Sequence, residues 1–282
     1  MKSLNVDELL QTTTGVDRRG FLKRAGLTGL GAAGLAVAGT ALLDNSSTEA
    51  GAQTGGLSST DIAILQFALN LEYLEAEYYT KTTTGKTLAE IGIPVSGLGD
   101  SDPTVGGQQV NFGDATVARV AKELAHDEQE HVLLLRAALG SNAIAKPAIN
   151  LNALGQVSNL AQFLAEARAF EDVGVSAYGG AAPLIQSKQI LSVAARIALT
   201  EGEHTGNIRL LVDLHNVMTT PVDGQDILPP PSGTQFFSVN SQALTVVRTP
   251  SQVLAILYGS SASGTSHGGF FPEGVNGSIK TV

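Results

Sequence analysis

Glu128-Gln129-Glu130-His131 and Glu201-Gly202-Glu203-His204 are the same step, Glu-x-x-His, in two separate helical runs, each followed five residues later by an arginine, Arg136 and Arg209. On an α-helix each residue turns ~100°, so a carboxylate and an imidazole three positions apart project to one side and can reach one ion. A second matched pair precedes the steps, Glu72 with Tyr79 and Glu171 with Tyr178. Seven residues is close to two turns, which puts each Glu and its Tyr on one stripe. The chain therefore reads as one unit written twice, at 72–131 and at 171–204. Two helices carrying Glu and two carrying Glu-x-x-His, all facing inward, form the ligand set of a carboxylate-bridged two-metal centre in a four-helix bundle. Coincidence explains this poorly, because only 14 of 282 residues are Glu while three of the five His have one three positions before them.

The third such step, Glu123 with His126, sits five residues before Glu128 and His131. That is about 140° around the helix, so the two pairs cannot line one centre, and the duplication selects Glu128 and His131. By the same geometry Glu166 turns away from Glu171 and is read as solvated. Glu75, one turn after Glu72, is read as a surface acid before a further ligand. Tyr73 and Tyr78 are read as packing residues, His215 as a residue near a helix end, and His267 as a solvated loop residue.

Helix starts follow from capping residues. Ser59-Thr60-Asp61 opens a helix running to about Lys81, Asp114 caps a second ending near Gly140, a third covers 159–179, and a fourth covers 189–215. Gly202 and Gly206 cost the fourth helix ~1 kcal/mol each relative to alanine, which close packing against the third would explain. Residues 82–113 break the periodicity and account for nearly all of the length difference between the halves; they read as a plain insertion before an access lid. The connection 141–157 has seventeen residues, enough to extend ~56–61 Å, whereas a helix of that bundle is ~40 Å long. It can cross the bundle end to end.

The N-terminus carries an address. Asp17-Arg18-Arg19-Gly20-Phe21-Leu22-Lys23 matches a twin-arginine export signal, lacking only the usual Ser or Thr before the arginines, and nineteen uncharged residues follow at 25–43. Ala50-Gly51-Ala52 is a small-residue site of the kind a signal peptidase cuts. A cleaved signal with no stable membrane anchor, and a periplasmic or extracellular location, is the expectation. The chain divides into signal and linker at 1–52, bundle at 53–217 and C-terminal extension at 218–282. Residues 1–52 hold five acids and five bases, so the net charge of −9 is unchanged without them. An acidic surface argues against nucleic acid as a partner. The chain has no cysteine, which excludes disulfides, iron–sulfur clusters and Cys-ligated zinc.

At the two doublets the chain resembles the ferritin-like superfamily, especially the rubrerythrin and bacterioferritin pattern, from about Thr60 to Leu214. Thr249-Pro250-Ser251-Gln252-Val253-Leu254-Ala255-Ile256-Leu257-Tyr258-Gly259 and Phe270-Phe271-Pro272-Glu273-Gly274-Val275-Asn276-Gly277 are similar to the end of exported ferritin-like proteins grouped with desiccation-related proteins. The resemblance implies an all-α, antiparallel four-helix bundle with a long crossover and a loop-rich C-terminal extension that wraps it. The site expected is two iron or manganese ions. Glu72 and Glu171 are the terminal or bridging carboxylates, Glu128 and Glu201 the bridging set, and His131 and His204 one nitrogen ligand per metal. Tyr79 and Tyr178 are hydrogen-bond donors behind the ligands or electron-transfer residues. Oxygen and imidazole ligands do not separate iron from manganese. Peroxide or oxygen chemistry, metal binding or storage, and a protective structural role all fit, and a homo-oligomer is open.

Overall fold

The computed structural model describes residues 57–282, so the signal and linker expected at 1–52 lie outside the described residues. Four long helices make the body, α1 (Ser59–Thr84), α2 (Ala115–Leu139), α3 (Leu160–Ala181) and α4 (Lys188–Leu214), and a short α5 (Pro250–Tyr258) follows in the extension. Short polar side chains start each long helix by accepting from free backbone N–H groups: Ser58, Asp114, Asn159 and Ser187. The first cap thus lies one residue before the expected 59–61. Asp61 does another job, accepting from the backbone of Gln186 at 2.8 Å and Ser187 at 3.1 Å, which ties the start of α1 to the start of α4.

Neighbouring helices are antiparallel. Tyr73 meets Arg136 and Thr80 meets Gln129 between α1 and α2. Tyr78 meets Phe163 and Tyr178 meets Glu72 between α1 and α3. His204 meets Asp127 and His215 meets Asp114 between α4 and α2. Because α2 and α3 therefore run the same way, the chain between them has to travel the length of the bundle, as the seventeen-residue connection allows. The insertion 82–113 is laid along that crossover. Thr104 and Val105 pair in parallel with Ile149 and Asn150, and Leu98 exchanges backbone hydrogen bonds of 2.9 and 2.8 Å with Ala143 and Ala145.

α1 buries 18 of its 26 residues, and α4 only 10 of 27. The first helix is enclosed by its neighbours, the crossover and the C-terminal extension, while the last keeps a wide outer face. Rings fill the space beside the site: Tyr78 stacks on Phe163 at 5.7 Å and meets Phe170 edge-on at 4.9 Å. The extension is fastened by buried polar groups. Arg248 holds Asp223 through two nitrogens at 2.8 Å and the Ser176 hydroxyl at 3.1 Å. Asn276 and Asn70 bond each other at 2.9 and 3.0 Å, and the Asn276 amide also reaches the carbonyls of Asp100 and Ala145. No helix among the described residues is long and apolar enough to cross a membrane.

Candidate metal centre

The six expected ligands converge. Glu72, Glu128, His131 and Glu201 bring one ligand atom each to within 4.8 Å of one another, and Glu128, Glu171, Glu201 and His204 do the same beside them. The two groups share Glu128 and Glu201. The four carboxylates are fully buried, and each imidazole is 8% exposed.

Each group is organised around an imidazole Nδ1. That of His131 lies 3.2 Å from Glu72 and from Glu128 and 3.3 Å from Glu201. That of His204 lies 3.1 Å from Glu128 Oε1 and 3.4 Å from Glu171 Oε2. Even so, Glu128 Oε1, Glu171 Oε2, both oxygens of Glu201 and His204 Nδ1 make no hydrogen bond. Buried polar atoms are ordinarily paired. Buried carboxylate oxygens and ring nitrogens gathered this closely, with several left unpaired, are arranged as ligands of a cation are. The donor set and the orphaned atoms both fit metal ions.

The electrostatics agree. Burial, with Glu72 beside it, pushes the Glu128 carboxyl up to about 7. Burial and then the neighbouring carboxylates push Glu201 and Glu75 well above the usual range. For Glu72 burial is outweighed by His131, with hydrogen bonds from His131 and Tyr178 helping to hold it low. Burial opposes protonation of His131 and His204, but the surrounding carboxylates raise both far above their ordinary value. An excess of negative charge is thus confined in a dry interior, where only protons or metal cations can relieve it.

The tyrosines act behind the carboxylates, and they are exchanged between the halves. Tyr79 donates to Glu171 Oε1 and Tyr178 donates to Glu72 Oε1. Each hydroxyl occupies the outer oxygen and leaves the other, Oε2, turned inward. Burial raises both phenols well above 10, so they remain neutral donors.

Several expectations need correcting. Glu75 is not at the surface: it is 5% exposed, close to the centre on the side toward α3. Glu166 is not solvated: it is 7% exposed, and burial pushes it up to about 8. Glu166 lies beside the C-terminal extension and Glu75 faces the carboxylates of the bundle interior, and the helical periodicity reveals neither. Gly202 and Gly206 are not close-packed, since a Cβ at either would meet nothing within 4 Å; nothing in the structure explains them. Other readings hold. His126 and His267 are exposed, and His215 is the cap of α4. Tyr73 and Tyr78 pack and bond backbone carbonyls.

One residue escaped the sequence reading, and a second, matched there, was given no role. Asp127 accepts from His204 Nε2 at 3.2 Å, an outer carboxylate placed to orient that imidazole; its adjacency to Glu128 gives no sign of this, because the contact runs between helices. Arg209 is fully buried and bonds Asp172 at 2.7 Å and the carbonyls of Ile227, Gln235 and Phe236. Arg136, its counterpart, bonds Tyr73 and the carbonyls of Ser96 and Ile144. The two matched arginines fasten a helix to the chain lying outside it.

The model of a family described as a ferritin-like domain matches residues 60–214, more than half of the chain and the whole four-helix body. The chain is also 24% identical over 276 residues to the ferritin-like catalase Nec2 of Nesocodon mauritianus, covering 80% of this chain and 86% of that protein.

Proposed function

The chain belongs to the ferritin-like domain family, and we propose that it is an exported protein whose two iron or manganese ions decompose peroxide or react with oxygen, a role in stress protection. The observation that supports this most is the pair of buried four-residue groups sharing Glu128 and Glu201. Glu128 and Glu201 would be shared between the two ions, Glu72 with His131 would hold one and Glu171 with His204 the other. When bound, paired ions supply a two-electron change, which lets two hydrogen peroxide molecules become two water molecules and oxygen with no outside donor. The chain's own residues set the conditions. Tyr79 and Tyr178 hold the terminal carboxylates in position, Asp127 fixes the His204 ring, and burial excludes bulk water. Four donor residues per group would leave an octahedral ion with positions for a small reactant. The likeness to a protein named as a catalase supports the peroxide reading over oxygen.

Metal analysis of the exported protein is expected to find about two ions per chain, the stoichiometry of a di-metal carboxylate bundle. Glu128→Ala or Glu201→Ala should lower that content. Peroxide should be decomposed with a metal-centred absorbance change, and Glu171→Ala should abolish the reaction while circular dichroism keeps the helices. A fully metallated chain silent to both peroxide and oxygen would instead be a centre that only fastens four helices.

A further inference from the structure

A cavity of about 500 Å³ lies between α3 and the C-terminal extension. Leu74, Val173, Leu257 and the rings of Phe170 and Phe270 make its walls mainly apolar, while Leu154 and Met218, both well exposed, stand where it meets solvent. The volume is in the range of pockets for small organic molecules, roughly 300–1,000 Å³. The cavity is a compartment of its own. None of the six ligand residues lines it. On the side facing the centre, a Cβ on Gly174 would lie 2.9 Å from Glu75 Oε1 and 3.1 Å from Glu201 Oε2, so these carboxyl groups are packed against the glycine and fill the way through. A molecule entering the cavity stays outside the metal centre.

One polar group in this space lacks a partner. Glu166 lines the cavity and is 7% exposed, and its Oε1 is buried without a hydrogen bond. A buried acid with no partner is unfavourable, and burial alone pushes this one up to about 8. Arg168 also borders the cavity, but its charge is already matched: it bonds Asp226 and the Thr220 carbonyl at 2.6 Å, and Asp172 lies 3.5 Å away. Arg209 meets the same Asp172 at 2.7 Å, so two guanidinium groups face two aspartates with no positive charge left over. Arg168 Nε keeps one N–H without an acceptor. Among the described residues the cavity thus combines apolar and aromatic walls, an unpartnered acid and no uncompensated cation.

We propose that this cavity is a second binding site, which takes a small amine with an aromatic or hydrocarbon body and pairs its ammonium group with Glu166. The body lies against the leucine and valine walls, and the rings of Phe170 and Phe270 favour a cation near their faces. An amine arriving as ammonium sends the Glu166 proton to solvent; one arriving neutral takes that proton from the carboxyl oxygen onto its nitrogen. Either way the buried acid gains the charged partner that the fold withholds. A carboxylate or phosphate ligand would find no free cation here, and a neutral ligand would form a bond about half as strong as the charge-assisted one. The site does not rest on the peroxide reading or on the metal ions.

The test titrates 2-(1-naphthyl)ethylamine and its neutral analogue 2-(1-naphthyl)ethanol into the full-length protein at neutral pH. Naphthalene fluorescence reports binding, and the chain has no tryptophan to obscure it. One saturable site per chain is expected, with the amine bound about tenfold or more tighter than the alcohol. Glu166→Gln should remove that preference by weakening the amine about tenfold while leaving the alcohol within about threefold, the split that a merely structural role of Glu166 would not produce. Ala169→Trp, whose side chain fills the cavity, should abolish binding of both; Ala165→Phe, one turn earlier on the same face, takes its place should the first variant misfold by circular dichroism. Absence of a saturable site would overturn the proposal. So would equal affinity for amine and alcohol, a preference that survives Glu166→Gln, or amine binding that persists in a folded variant with the cavity filled.

Discussion

Glu166→Gln should remove a pH dependence of stability that one buried carboxyl imposes. The ordinary value for Glu166 is 4.5, and burial raises it to about 8 in the folded chain, with no cationic partner opposing the rise. Tyr78 is near enough for the Glu166 charge to raise its phenol further, but it stays neutral and donates to the Phe163 carbonyl at 3.0 Å. As pH rises, the unfolded chain releases this proton near 4.5 and the folded chain holds it to about 8. Stability therefore falls between those values and levels off above the upper one. A gap of about 3.5, at about 1.4 kcal/mol for each pH unit, is a loss on the order of 5 kcal/mol. The residue is only 7% exposed, so solvent screening reduces this little. The assay is denaturant unfolding of wild type and Glu166→Gln at a series of pH values, where the difference cancels the other titrating groups. The gain from the substitution should grow by several kcal/mol between pH 5 and pH 9. Growth of less than about 1 kcal/mol would show that Glu166 is solvated or paired in solution and refute the reasoning.

Arg209→Met removes a buried ion pair with Asp172 and three bonds to the extension; it should cost ~3–5 kcal/mol, a fall of roughly 6–20 °C in Tm, and expose residues 227–236 to protease before the bundle melts. Asp127→Ala should weaken metal binding by roughly 10–100-fold in calorimetric titration, whereas Thr200→Ala, at the matching position before Glu201, should not, since Thr200 bonds only its own helix at Arg196. Glu123→Ala and His126→Ala should leave the metal content measured by elemental analysis unchanged, because both side chains are exposed on the outer face of α2.

The bundle and the ligand cluster were legible because helical geometry is local. A three-residue step fixes a common face whatever the rest of the chain does, and repetition of the step in a second helix identifies which of two overlapping registers on α2 matters. The identity of that face as the interior followed. What was not legible depends on elements far away in sequence. Glu166 lies on a face of α3 that an isolated bundle would show to solvent; residues 218–222 and Phe270 of the extension border the cavity there. Glu75 was misjudged for another reason, since one turn from a ligand gives an angle but not a depth, and its burial comes from the bundle itself. Arg209 was visible as a matched partner of Arg136, yet its bonding to carbonyls at 227, 235 and 236 needed the path of the tail.

The exchanged tyrosines explain why two similar hairpins have to be closed on each other to make one site. Tyr79, from the first half, orients Glu171 of the second, and Tyr178 orients Glu72 in return. A hairpin alone would hold a terminal glutamate without its donor and a Glu-x-x-His step without its second bridging carboxylate. The symmetry then stops at the positions flanking the ligands. Asp127 is answered by Thr200, so among the described residues it is the His204 ring that has a carboxylate behind it, and Glu75 is answered by Gly174, where the absent side chain leaves room for the carboxylates of Glu75 and Glu201 to pack. The shared carboxylates need both halves to be alike, since each four-residue group is built from the same donors. The positions beside them are free to differ, and the two departures from the repeat, a carboxylate behind one imidazole and a fifth buried carboxyl on one side, leave all six of those positions undisturbed.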